Sequence, residues 1–191
     1  ALAGDVGSLV ALLTNVPPGA IELARGVDPT FAARDTVEVI GGALRIAGRD
    51  PTSPAARAAT GVAPLDPPVP GDLTVSEYLV ASARLAGLGA AAKVEAARVL
   101  DVVEGRDAAR RKLATLGLAE RRVLLLAQAI LGRPDVIVVE SPLAHLDAEA
   151  ATFVLGAFQR ATEGTRVIVS VESTRAGTRD APIVERATTL L

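Results

Sequence analysis

Apolar positions along the 191-residue chain change period in a way that separates strands from helices. A run from Leu9 to Leu13 is followed by TNVPPGA and then IELARGV, which predicts a strand, a loop and a helix start. Thr36 to Gly48 alternates β-branched and polar residues around Gly41-Gly42, the pattern of an antiparallel hairpin. Arg49 to Gly61 predicts a loop with a short helical turn. Gly61 to Gly71 holds four prolines in eleven residues, which predicts a hinge or exposed connection rather than a helix or central strand. Helical spacing then marks Leu73 to Leu88 and Ala90 to Val103, the first opened by a candidate capping box of Thr74 and Glu77.

Beyond residue 115 the pattern alternates between the two periods. A helix is predicted from about Ala119 to Leu131, with Gly132-Arg-Pro134 as its stop, followed by a strand from Asp135 to Val139. A helix from Ala148 to Thr162 and a strand from Arg166 to Val171 complete the series. Strands alternating with helices predict an α/β fold with a mainly parallel, covered sheet.

Composition narrows the chemistry. The chain has no cysteine and one histidine, which excludes disulfides, thiolate metal sites and a histidine cluster. The formal net charge is −2 and the arginines are dispersed, so no basic stripe suggests a nucleic-acid partner. The apolar runs fall well short of the about 20 residues that span a bilayer, and no secretory leader is recognisable. A soluble, cytoplasmic protein is the expectation. The sequence starts at Ala1 without a Met, which leaves open a fragment or a processed product.

Leu113 to Asp147 carries the most specific pattern. LGLAE (Leu116, Gly117, Leu118, Ala119, Glu120), VIVVES ending in Glu140 and Ser141, and AHLD ending in Asp147 resemble the signature, Walker B strand and D-loop of ABC-transporter nucleotide-binding domains. In the same order, GSLVALLTNVPPGAIEL (Gly7 to Leu23) resembles the family's Walker A strand and loop, Leu73 to Leu88 the helix after the Q-loop, and RVIVSVES the strand ending in the switch histidine. The resemblance spans roughly residues 4 to 191. It implies a P-loop NTPase-like core over 1–64 and 130–191, with the hairpin at about 36–48, and a helical subdomain over 65–129.

At the positions where the family touches nucleotide, this chain carries other residues. A phosphate loop needs inward N–H groups, a lysine and a hydroxyl for Mg²⁺. The loop from Thr14 through Gly19 instead sets Ala20 at the lysine position and Ile21 at the hydroxyl position, while Pro17 and Pro18 have no N–H to donate. The only lysines are Lys93 and Lys112, and neither follows a glycine. Glu140 stands where the family has a Mg²⁺-binding aspartate, and Ser141 where it has a catalytic glutamate. Ser141 cannot act as a base near neutral pH without an activator, whereas weak cation binding by Glu140 stays open. Gly117, Leu118 and Ala119 lack the signature hydroxyl, and Leu118 and Ala119 put side chains where close backbone approach is needed. Glu172 replaces the switch histidine, and a carboxylate cannot donate to a phosphate. The Q-loop glutamine aligns with Leu65 or Asp66, neither an amide. His145 beside Asp147 reads as an incidental loop residue.

The resemblance therefore implies a non-catalytic cassette subunit, with no catalytic residue, no metal site and no bound cofactor. Its partners would be an ABC permease, an ATP-competent cassette subunit, or both, and membrane contact would come only through the permease, at the inner face. Leu65, Asp66, Leu73, Tyr78 and Asp147 are the expected partner-binding residues. The alternative is a protein that binds ATP and Mg²⁺ without hydrolysing the nucleotide.

Overall fold

The computed structural model describes residues 49, 53–172 and 175–186. The predicted strand at Leu9 to Leu13, the loop of Thr14, Gly19, Ala20 and Ile21, and the hairpin from Thr36 to Gly48 lie outside the described residues. In chain order the elements are helix α1 (Pro54–Ala58), strand β1 (Thr60–Ala63), helices α2 (Val75–Leu85), α3 (Ala92–Val102) and α4 (Leu118–Ala129), strand β2 (Val136–Val139), helix α5 (Ala148–Thr162), strand β3 (Arg166–Val169) and helix α6 (Ala181–Val184). The three strands form a parallel sheet in the order β1-β2-β3, with Thr60 level with Val136 and Val136 level with Arg166.

β2 is buried at all four residues, as a run of Val and Ile between two neighbours and two layers must be. Its residues Ile137 and Val139 join the side chains of α2, α3, α4 and α5 in one apolar core. The stretch expected to be a hinge contributes more than that: Gly61–Ala63 belongs to β1, because all four of its prolines follow the strand. Gly61 also lets α4 lie directly on β1. A Cβ at Gly61 would stand 1.7 Å from the Ala129 carbonyl oxygen and 2.7 Å from its carbon.

The helices begin and end where their own side chains dictate. The predicted box at α2 is present: the Thr74 hydroxyl accepts the Glu77 N–H at 3.2 Å, and the Glu77 carboxylate accepts the Thr74 N–H at 2.8 Å. α4 stops at Ile130, with Gly132 taking a φ of +73° just beyond. That end is held by α3. Arg98 pairs with Glu95 at 2.6 Å and donates to the Ile130 carbonyl at 2.7 Å, while Glu95 accepts the Gly132 N–H at 2.9 Å. From the other side Arg160 of α5 donates to the Val102 carbonyl at the end of α3 and pairs with Glu104 at 3.1 Å.

Two outcomes test this packing. Gly61→Ala forces backbone against backbone, and the expected loss is about 3 kcal/mol or more in urea unfolding; a loss below about 1 kcal/mol would mean that α4 does not rest on β1 this closely. The Arg98 guanidinium, and then the Gly132 N–H, hold the Glu95 carboxyl below its ordinary value of 4.5. A carboxylate lowered by folding stabilises above its unfolded value and loses that contribution as pH falls through the folded one. Glu95→Gln should therefore cost about 1–3 kcal/mol at neutral pH, and the cost should shrink only below the ordinary value of 4.5. A cost independent of pH down to acid unfolding would contradict the assignment.

Candidate functional site

Parallel strands in a doubly covered sheet end at one edge, and their following loops gather there. At this edge the sequence-predicted residues Leu65, Asp66, Glu140, Ser141 and Glu172 follow the three strands in turn. Glu140 continues the ladder of β2 by donating its N–H to the Ala63 carbonyl at 2.9 Å. Its carboxylate turns back on the first loop and accepts the Leu65 N–H at 2.9 Å. The acid thus ties the segment after β1 to the end of β2.

Ser141 sits at a φ of +39°, a conformation unusual for a residue with a side chain. Its N–H reaches the Ser170 hydroxyl at 2.9 Å and the Ser170 carbonyl at 3.2 Å, and the two hydroxyls lie 3.1 Å apart. A second hydroxyl is the partner that Ser141 has, so nothing there raises its basicity or draws off its proton. Glu172 is exposed beyond β3, and its N–H is accepted by the buried Asp180 carboxylate at 3.0 Å.

The start of α4 forms a second part of the site. Gly117 caps the helix, Leu118 and Ala119 occupy its first two positions half-buried, and Leu116 is buried behind them. Glu120 accepts the Gly117 N–H at 2.9 Å and an N–H of Arg111, which also donates to the Thr115 carbonyl. Burial pushes the Glu120 carboxyl up, but the bonds from Arg111 and Gly117 outweigh it and hold it below the ordinary carboxylate range. Negative charge accordingly stands at the helix start, where it satisfies the helix dipole.

Two arginines on the next turn were not anticipated. Arg122 is 4% exposed, and its Nε and Nη1 are buried without a hydrogen-bond partner among the described residues. Burial pulls its guanidinium below its ordinary value, opposed by the carboxylates of Asp66 and Glu140. Its spacing from Leu125, Leu126 and Ala129 sets it on the apolar stripe of α4, the one signal in the sequence that could have marked it. Arg121 faces Asp66 at 3.9 Å, and its Nε is also buried, with no hydrogen-bond partner among the described residues.

The other expected contact residues lie apart. Leu73 packs against the core, and the Tyr78 hydroxyl donates to Gln128 of α4 at 2.5 Å. Burial raises the Tyr78 pKa. Asp147 caps α5 by accepting the Ala150 N–H at 2.8 Å, beside the exposed His145 at a φ of +61°. Among the described residues no three His, Asp or Glu side chains converge as metal ligands, and no helix is long and apolar enough to cross a membrane.

No protein-family model matches the chain. It is 42% identical over 60 residues to the uncharacterized ABC transporter ATP-binding protein YkpA of Bacillus subtilis (strain 168), covering 31% of this chain and 11% of that protein. It is 34% identical over 96 residues to the Nod factor export ATP-binding protein I of Burkholderia orbicola (strain AU 1054), covering 50% of this chain and 32% of the relative. The matched region thus spans no more than 32% of the length of either of these curated relatives. Among solved structures, an ATP-binding protein from Pyrococcus furiosus described as part of an ABC transporter superimposes with a TM-score of 0.55 and 25% identity, over 73% of this chain and 68% of that one. An ABC transporter described as of metal-chelate type, in an inward-facing conformation, matches in fold with a TM-score of 0.50 and 22% identity, over 57% of this chain and 46% of its own. A parallel sheet with Walker B-like, switch-like and signature-like segments in family order agrees with both comparisons: the neighbours are ABC transporter ATP-binding proteins, and the fold is that of an ABC nucleotide-binding domain, a P-loop NTPase fold.

Proposed function

We propose that this chain is a non-catalytic ABC-type cassette subunit, a structural or regulatory partner in a transporter complex. The observation that carries the reading is the engagement of Glu140: its carboxylate accepts the Leu65 N–H and faces the buried charge of Arg122. One oxygen of this carboxylate is thus already committed to holding the loop after β1, a structural use that needs no Mg²⁺. Ser141, tied to Ser170, offers no base for the attacking water. Glu120 adds negative charge where an incoming γ-phosphate would need positive potential. The loop containing Ala20 and Ile21 supports the same reading from sequence.

The partner would be a permease, an ATP-competent cassette, or both. A cassette dimer builds each nucleotide site from one Walker A loop and the other subunit's signature, so a partner cassette would find the signature positions of this chain occupied by Gly117, Leu118 and Ala119. The surface offered to a permease is the proline-lined hinge and the helices after it. Peripheral attachment to a membrane through that permease follows from the reading.

Titration with Mg-ATP tests it. A site of micromolar affinity would stabilise the fold by about 4 kcal/mol at millimolar nucleotide. The expected result is an unchanged melting temperature and no phosphate release above background. A clear upward shift without phosphate release would replace this reading by that of a nucleotide-holding protein, and turnover would overturn both.

A further inference from the structure

The two most exposed large apolar side chains among the described residues are Leu85, at 90%, and Val94, at 74%. They stand at the two ends of one turn: Leu85 closes α2, and Val94 lies in the first turn of α3. The turn projects into solvent. A Cβ at Gly87 or Gly89 would meet nothing within 4 Å, and Ala86, Ala90 and Ala91 are exposed. Only Leu88 folds inward, to 3.5 Å from where a Gly132 Cβ would stand. The charge here is of one sign. Each exposed apolar residue follows a cation, Arg84 before Leu85 and Lys93 before Val94, and no Asp or Glu occurs between Glu77 and Glu95. Arg84 and Lys93 line an open groove of about 470 Å³ with Val80 and Ala81, and neither side chain has an ion pair or hydrogen bond among the described residues. The bounding acids are committed elsewhere, Glu77 to the N–H and hydroxyl of Thr74, and Glu95 to Arg98 and the Gly132 N–H.

Protruding apolar side chains beside unpaired cations are the chemistry of an interfacial membrane contact. The cations meet lipid phosphates, and the apolar side chains pass beyond them to the acyl boundary. A second copy of this chain does not fit the patch, since a two-fold contact would press the cations of one copy against those of the other. An acidic protein would satisfy the cations, but specific docking also needs a shaped surface. Apart from the inward Leu88, the turn between Leu85 and Val94 offers only alanines, glycines and Lys93. A fluid lipid surface makes no such demand. We propose that the turn from α2 to α3 is a direct contact with an anionic lipid surface, with Arg84 and Lys93 on the headgroup phosphates and Leu85 and Val94 inserted below them. Such a contact needs neither a permease nor a nucleotide, and with one small apolar anchor it is weak and reversible.

Tryptophan fluorescence of the whole chain tests the contact. The sequence has no Trp, so Leu85→Trp and Val94→Trp each place a single reporter on the exposed turn without touching the core. Phe153→Trp, at a position 47% exposed on α5, places one elsewhere. The probe is a vesicle of phosphatidylcholine with a minor share of phosphatidylglycerol, its acyl chains brominated. Both turn reporters should shift to the blue and be quenched, and the reporter on α5 should do neither. Adding Arg84→Gln and Lys93→Gln should weaken vesicle binding about thirtyfold at low salt, the loss expected for two cations at an anionic surface. Vesicles of phosphatidylcholine alone should match that double variant. Quenching of all three reporters alike, or insertion that survives loss of both cations, overturns the assignment. Absence of quenching at the turn overturns it as well and leaves an acidic protein surface as the partner that these cations fit. Each of these outcomes leaves the non-catalytic cassette reading untouched, because that rests on the sheet edge and is tested by nucleotide.

Discussion

The packing of this domain depends on how closely a helix can approach a strand. α4 ends with the Ala129 carbonyl lying over Gly61 of β1 at a separation that leaves no room for a Cβ. This contact sets the height of α4 above the sheet, and with it the depth of Leu124, Leu125 and Leu126, each no more than 3% exposed. Because interiors pack like crystals, a shift of one element by an ångström is felt by each of its neighbours. α3 holds the far end of α4 through Arg98 and Glu95, and α2 meets its last turn through Tyr78 and Gln128. The start of α4, with Gly117 and Glu120, is therefore delivered to its place by contacts made at its other end.

The same economy governs the edge of the sheet. β1, β2 and β3 each release a loop there, and polar groups released from a ladder must find partners. Glu140 takes the Leu65 N–H, Ser170 takes the Ser141 N–H, and Asp180 takes the Glu172 N–H. Each loop is thus closed by a side chain from this chain itself. The backbone of Ser141 bends into positive φ to make its pair, a strain sustained by the buried strand before it and by buried Pro142, Leu143 and Ala144 after it.

Much of this was legible in the sequence where a single element decides the outcome. The predicted bounds of α5 coincide with those observed, because Asp147 caps one end and Glu163-Gly164 closes the other. The Thr74–Glu77 box and the stop at Gly132 were equally local. β1 was hidden in a proline-rich stretch because proline counts average over a window, whereas the strand needs only Thr60–Ala63, ahead of the first proline. At the site, the candidate residues could be named from their order along the chain. Their new partners could not: Leu65 and Glu140 are 75 residues apart, and only the parallel register brings them together. Arg122 escaped notice for a related reason, since its charge suggested a solvent face and its spacing an apolar one.

That conflict at Arg122 bears on why the carboxylates remain. A guanidinium with two buried unpartnered nitrogens is costly unless negative charge lies within reach. Replacing Glu140 by an apolar residue would free the Leu65 N–H and remove one of the two carboxylates that oppose Arg122. Glu140 is for this reason constrained by the fold. An acid at a Walker B position is ordinarily read as a trace of Mg²⁺ chemistry. Here the hydrogen bond to Leu65 and the charge of Arg122 account for it, so its presence is no argument for nucleotide hydrolysis.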